Sequence, residues 1–338
     1  MPGGTAVPQK LKTQKLKGLC FWIAALLLAV LASLPASAQD FPSRPITLIS
    51  VFAAGGPSDI YLRELANKAK DFLGVPIVVE NKLGGAGTVG PASMAAAAKP
   101  DGYTVSYVGS GIYTVPAMQK ASFDPAKDFT YIIGLSGFRI LVAVKANARW
   151  KSWADIAAEA RDNPMKLTYS TPGPGSATHL AFESAAFPLG LKFTHIPFRG
   201  GSEQVAAMLG GHVDLTAVGG TIFPVIDSGD ARPVLWLTDE PSPRYPEVPG
   251  VNQLGVKSVI DLNFPFGLAG PKGMDPAVVK ILHDGFKKAM DSPEHEATLK
   301  KLDQPNRYMN SADFTAFAHR QIGAYRNALG RLGIAIKE

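Results

Sequence analysis

The chain of 338 residues has one cysteine, Cys20, and that cysteine lies within an N-terminal segment that reads as a leader. Once the leader is gone no thiol remains, which excludes disulfides, thiolate metal sites and cysteine nucleophiles from the rest of the chain. The first 39 residues contain no acid. No His-x-x-x-His or His-Glu-x-x-His spacing occurs for a metal, and no acid pair is placed for glycoside hydrolysis. No later run of Lys and Arg forms a nucleic-acid patch. After Leu34 no apolar stretch approaches the ~20 residues of a membrane span. No twin-arginine pair precedes the leader's apolar run, and Cys20 comes before that run instead of after it, so a lipid-anchored cysteine is not expected.

What is present at the N-terminus is a basic stretch (Lys10, Lys12, Lys15, Lys17), an apolar run from Leu19 to Leu34, and Ala36-Ser37-Ala38. That order is a secretory signal peptide, so residues 1–38 are expected to be removed after Ala38 and the remainder to work in the periplasm. The leader holds four lysines and no acid, so cleavage lowers the formal charge from +6 to +2. About 300 residues without disulfides must be held by their cores, and that length suggests two lobes.

Strand-like and helix-like periodicities alternate along the chain. Strands are expected at Ile46–Phe52, Ile77–Val79 and Thr104–Val108, with helices at Ser58–Phe72 and Thr88–Ala98. A strand at Arg139–Lys145 and a helix at Trp153–Arg161 precede a second block. That block has strands at Lys166–Ser170, Lys192–Pro197, Val213–Val218 and Val234–Thr238, with helices at Ala177–Phe187 and Glu203–Leu209. A strand near Phe266–Ala269 and two helices, Pro276–Met290 and Ser311–Leu332, close the chain. The order predicts an α/β architecture of two lobes, each a mainly parallel sheet flanked by helices. Arg139–Lys145 is the expected outward crossing and Leu262–Ala269 the return. The expected division is 39–141 with 266–338 for the first lobe and 142–265 for the second.

Chemistry is expected where a strand runs through a Gly-rich turn into a helix. Four segments have this form: Phe52 to Asp59, Val108 to Gly111, Ser170 to Ala177, and Val218 to Thr221. A helix N-terminus leaves N–H groups unpaired and carries partial positive charge, so such turns hold an anion without a charged side chain. In open α/β sheets they lie at the carboxyl ends of the strands, where ligands bind. Ser58, Asp59 and Ser176 also read simply as helix caps. Arg199, after a strand and before a helix, is placed to pair with a carboxylate or to be a solvated loop residue. Gly85 to Gly90 fits G-x-G-x-x-G, but the following strand ends in Gly109 with no acid, which argues against a dinucleotide; no cofactor is expected. Ser176 near His179 raises an exported serine hydrolase as the alternative, although Gly-Pro-Gly-Ser-Ala is not the nucleophile elbow. Tyr113, Phe138, Phe223 and Phe264 are candidate aromatic walls, although core packing is the expected role of each.

In this order and spacing several motifs resemble the Bug, or TctC-like, extracytoplasmic receptors, the binding components of tripartite tricarboxylate transporters. They are Phe52-Ala53-Ala54-Gly55-Gly56 with Asp59 and Arg63, Val78-Val79-Glu80-Asn81, Gly84 to Gly90, and Pro100 to Thr104. Gly173 to Ser176 with His179, Phe198-Arg199-Gly200, and Leu209 to Asp214 complete the series. The resemblance covers nearly all of the chain after the leader. It implies a type II periplasmic-binding-protein fold, a monomer without catalysis, a small carboxylate held between the lobes, and TctA- and TctB-like membrane subunits as partners. It places ligand contacts at Ala54, Gly55, Gly56, Pro57, Ser58 and Asp59, and at Gly109, Ser110 and Gly111. On the other lobe it places them at Thr171, Gly175, Ser176, His179, Arg199, Gly200, Gly201, Gly219, Gly220 and Thr221. The sequence departs from the family pattern at Val51, usually proline, at Gly85-Ala86, usually in the reverse order, and at Pro57, usually a small polar residue. Proline has no N–H to donate. A receptor that feeds a two-component sensor would share all of these features.

Overall fold

The structure, a computed structural model, describes Gly3, residues 41–256 and residues 265–334. Apart from Gly3, the expected signal peptide lies outside the described residues, as do Phe264 and the start of the expected return strand.

From Pro42 onward the chain builds two sheets. The first has six strands: β1 (Ile46–Ser50), β2 (Ile77–Asn81), β3 (Thr104–Val108), β4 (Phe129–Ser136), β10 (Phe266–Pro271) and β11 (Asn306–Met309), in the spatial order β11-β4-β10-β3-β1-β2. The second has five: β5 (Leu141–Lys145), β6 (Thr168–Thr171), β7 (Thr194–Pro197), β8 (Leu215–Val218) and β9 (Ala231–Trp236), in the order β7-β6-β8-β5-β9. Strand β1 pairs in parallel with β2 and β3, whereas β10 is antiparallel to both β3 and β4. In the second sheet β6 is parallel to β7 and β8, and β5 is antiparallel to β8 and β9. In the first sheet β1 to β4 therefore point one way and β10 and β11 the other, β11 lying antiparallel to β4 at the edge; in the second, β5 alone opposes its neighbours.

Local signals explain the elements. Strand β1 is buried on both faces, as its continuous apolar run requires. Helix α1 (Pro57–Leu73) starts with proline at its first turn, where no N–H is needed, and ends at Gly74 in the left-handed region. Helices α2 (Val89–Ala97) and α3 (Gly111–Met118) follow the next two turns. Helix α4 (Trp153–Asp162) is capped by Ser152 and Asp155 acting on each other's backbone. Helices α5 (Ala177–Ala186), α6 (Gly201–Leu209) and α7 (Phe223–Asp227) belong to the second block. Helices α8 (Pro276–Met290), α9 (Pro293–Leu302) and α10 (Ser311–Arg331) cover the first sheet's far end, their starts capped by Asp275, Ser292 and Asn310.

Five elements had not been expected: β4, β11, α3, α7 and α9. Strand β4 is an apolar, β-branched-rich run that is legible in hindsight. Strand β11 alternates exposed and half-buried polar residues and carries little pattern. Helix α3 contains Pro116, which blurs its signal.

Each sheet has its own core. Leu48, Ile49, Val105, Ile132, Ile133, Leu268 and Phe314 are buried about the first, and Leu141, Met208, Ile222, Phe223 and Trp236 about the second. Each such side chain contributes about 1.5–3 kcal/mol by leaving water. Between the sheets, the outward connection is only residues 137–140, so the expected crossing strand begins two residues late, at Leu141.

Candidate functional site

A cavity of about 640 Å³, counting its open mouth, lies between the two sheets and takes its walls from both. Four helix N-termini meet there. Pro57 and Ser58 come from α1, Ser110 and Gly111 from the start of α3, Ser176, Ala177 and Thr178 from α5, and Gly201 from α6. Gly109 and Gly219, at the ends of β3 and β8, complete the polar rim. The remaining wall is apolar: Phe52, Ala86, Gly87, Pro172, Val218, and Phe138 and Ile140 from the crossing. Tyr107 and Gln204 also line it, and among the described residues no Asp, Glu, Lys, Arg or His does. An anion is thus offered backbone N–H groups and positive helix ends in a largely apolar space, where such interactions are strong.

The aromatic wall is braced from behind. Phe138 packs on Phe266 at 4.8 Å between ring centroids, Phe266 on Tyr107 at 5.2 Å, and Tyr107 edge-on to Phe52 at 5.8 Å. Burial holds the Tyr107 phenol far above its ordinary pKa, opposed by a hydrogen bond with Ser58, so it stays neutral. Phe138 therefore lies where a wall had been sought, whereas Tyr113 and Phe223 are core residues.

The lobes touch at the cleft. The Thr114 hydroxyl donates to the Gly175 carbonyl across it at 2.6 Å. A Cβ at Gly220, whose φ is +57°, would lie 2.6 Å from the Cβ of Pro57, and one at Gly200 would lie 3.2 Å from the Cβ and N of Ala53. A side chain at either position would prop the walls apart.

Several residues expected at the ligand instead hold the turns in shape. Ala54 and Gly55 are exposed and outside the cavity lining. The Gly55 N–H is taken by the Asp59 carboxylate at 3.0 Å and the Gly56 N–H by the Ala53 carbonyl at 3.1 Å. Buried Asp59 also accepts from Arg63 Nε at 2.9 Å and Asn81 Nδ2 at 2.7 Å. Desolvation pushes its pKa up, but the hydrogen bonds from Arg63, Asn81 and Gly55 and the Arg63 charge together outweigh this and lower it. Asp59 is thus an anion already fully engaged by the protein. Pro57 sits at the first position of α1, where its missing N–H would in any case be the donor lost from that helix end.

The second-lobe turn is built differently. Thr171 is buried, its hydroxyl 2.6 Å from His195 Nε2 and accepting from the Gly173 N–H at 3.2 Å. His179 Nδ1 accepts the Gly175 N–H at 3.2 Å, which places the ring proton on Nε2. Burial, reinforced by His195 beside it, lowers the His179 pKa to about 3. Ser176 caps α5, accepting from the His179 N–H at 3.3 Å, and still lines the cavity. The imidazole nitrogen that a serine base would need is thus bonded to backbone. Arg199 is exposed and lines a neighbouring opening with Phe52, Pro172 and Phe198. Its N–H is held by Glu203 at 3.0 Å. Thr221 donates to the Gly219 carbonyl at 3.4 Å and lies behind the lining, as does Gly220. The Asp214 carboxylate accepts from Thr168 N and Oγ1, both at 2.8 Å.

Sequence reasoning missed Tyr107, Ile140 and Gln204 as wall residues. A position one residue before the end of β3 was the available signal for Tyr107. None existed for Gln204, which lies inside a helix.

Two lobes with a cleft between them, lined by helix N-termini, define a periplasmic binding protein. The fold matches BugD with a TM-score of 0.82 at 26% identity, covering 88% of this chain and 100% of that one. A structure of an R. palustris protein with adipate matches with a TM-score of 0.81 at 25% identity, covering 88% of this chain and 99% of that one. A Cupriavidus necator protein, the UPF0065 protein in the gbd 5' region, is 42% identical over 316 residues, which is 93% of this chain and 96% of that protein. BugT of Bordetella pertussis is 27% identical over 266 residues, 76% of this chain and 80% of that protein. The tripartite tricarboxylate transporter family receptor model, TctC, matches residues 61–333. The chain belongs to that family. Its members are solute-binding receptors and not enzymes. Among the described residues no helix is long and apolar enough to cross a membrane.

Proposed function

We propose that this receptor captures a small carboxylate in the cleft and delivers it to TctA- and TctB-like membrane subunits, after export and removal of residues 1–38. The observation that carries the reading is the meeting of four helix N-termini on one cavity whose lining has no charged side chain among the described residues. Ser58, Ser110, Ser176 and Thr178 add hydroxyls that adapt as donors to the carboxylate oxygens. The related R. palustris structure with adipate supports a carboxylate guest. The order of strands supports a discontinuous first lobe, divided from the second near residues 141 and 266. Lobe closure is favoured because the closed cleft contacts the ligand from both sides.

A thermal-shift screen of the protein lacking residues 1–38 tests the reading. Mono- and dicarboxylates are compared with inorganic phosphate, sugars and cations. A carboxylate at 100 times its Kd stabilises by about 2.7 kcal/mol and raises the Tm. If sugars or cations shift the Tm and no carboxylate does, the anion reading is wrong.

A further inference from the structure

Gln204 stands one helical turn into α6 from Gly201, on the same face, and both line the cavity. Its side chain is completely buried, and neither Oε1 nor Nε2 has a hydrogen-bond partner. A buried primary amide with both ends unpaired is costly, because it has given up water for nothing. At the wall of a ligand cavity, the missing partner is the ligand.

We infer that Gln204 sets the specificity of the cleft by reading an uncharged hydrogen-bond donor, a hydroxyl or an amide N–H, carried by a carboxylate ligand. The inference rests on the carboxylate reading and narrows it. A carboxylate oxygen satisfies Nε2 alone and leaves Oε1 facing an anion. A second group that donates is required to pair Oε1. An ammonium group would also donate, but among the described residues no acid lines the cavity to balance it, and four positive helix ends face it. The two acids adjacent in sequence to lining residues are engaged elsewhere: Asp59 accepts from Gly55, Arg63 and Asn81, and exposed Glu203 accepts from the Arg199 backbone N–H. The ligand class is therefore a hydroxy- or amido-carboxylate, in preference to a plain acid, an amino acid or an unsubstituted diacid.

Isothermal titration of the protein lacking residues 1–38 tests this. The probes are straight-chain acids of four to six carbons, each as the plain acid, the diacid, its hydroxy acids, the monoamide and the amino acid. At least one hydroxy acid or monoamide is expected to bind on the order of tenfold tighter than the plain acid of the same length. In Gln204→Leu that advantage should collapse, so that the hydroxy acid or monoamide binds no tighter than the plain acid of the same length. The ligand-free variant should melt no lower than the parent, because an unpaired amide is replaced by an apolar group of similar size. A tightest ligand that is a plain acid, diacid or amino acid overturns the inference, as does a preference that survives Gln204→Leu. So does a ligand-free variant that melts several degrees lower, which would make the amide a core residue. If none of the acids binds the parent protein, the carboxylate reading itself falls and this inference with it.

Discussion

The two turns that face each other across the cleft, Ala53 to Asp59 and Thr171 to His179, solve one problem in opposite ways. Each must hold a glycine-rich segment rigid at the start of a helix, because a loose turn would spend binding energy on its own ordering. The first lobe uses an ion: Asp59 gathers Gly55, Arg63 and Asn81 around one carboxylate. The second uses a neutral ring: His179 Nδ1 accepts from Gly175, with Thr171 tied to His195 behind it. The first lobe also keeps a non-glycine residue, Ala86, at φ +54° in the cavity wall. The second-lobe turn reserves positive φ for Gly173 and Gly175. Neither device spends a donor that the ligand needs from the helix ends. The lesson is that the ionisable residues nearest the cleft build its geometry and leave recognition to backbone and uncharged side chains.

The largest test of the comparison is Asp59→Ala. It leaves the Gly55 N–H, Arg63 and Asn81 without their shared acceptor and should cost about 2–3 kcal/mol in urea unfolding at neutral pH. Half-exposed Arg63 keeps the loss below that of a wholly buried pair. Because the folded pKa is lowered, the contribution is present above the unfolded value near 3.8 and is lost as pH falls through the folded one. A variant within 0.5 kcal/mol of the parent, on the order of a surface substitution, would remove the contrast between the lobes.

The second test is pH. His179 titrates near 3 in the folded state against about 6.5 unfolded. The unfolded chain therefore binds the extra proton between those values, and stability falls as pH falls from 6.5 towards 3. His179 accounts for about 1.4 kcal/mol per pH unit of that slope. His179→Gln, which can still accept from Gly175, should flatten the pH dependence of urea unfolding between pH 6 and 4.5 by one proton. His195, lowered to about 4, would keep its own share. An unchanged slope would mean that His179 is protonated in the folded protein.

The smallest expected effect is at Ala86. Left-handed backbone costs a residue with a Cβ about 1–2 kcal/mol, and glycine's extra unfolded-state entropy returns about 0.5–1 of that. Ala86→Gly should thus stabilise by about 0.5 kcal/mol, measured by the same urea series. A loss would show that the packing of the buried methyl outweighs its strain.

Much of this was legible in the chain itself. The Gly-rich turns after β1, β3, β6 and β8 announced where helix ends would gather, because a strand that must reverse into a helix needs those residues at that point. Ser58, Ser110, Gly111, Ser176 and Gly201 line the cavity as that logic required. Asp59, Thr171, His179 and Arg199 were harder to place. A polar residue in such a turn has the same sequence signature whether it faces the ligand or bonds the backbone behind it. Phe138 and Ile140 lie in the crossing, and nothing in their local pattern distinguishes a cavity floor from a linker. Gln204 carried no signal, since a polar residue in an amphipathic helix ordinarily reads as solvent-facing.

By itself the sequence determined that the chain is α/β, that glycine-rich turns begin its helices, and that no cysteine follows Cys20. These are properties of local period, turn stereochemistry and composition, which need no partner in space. The tertiary structure decided which turns meet, which N–H groups are already taken, and which side chain is left without a partner. Hydrogen bonds between residues such as Thr114 and Gly175, or Asp59 and Asn81, join positions far apart in the chain. Only packing the lobes around the cleft fixes whether a donor is free for a ligand.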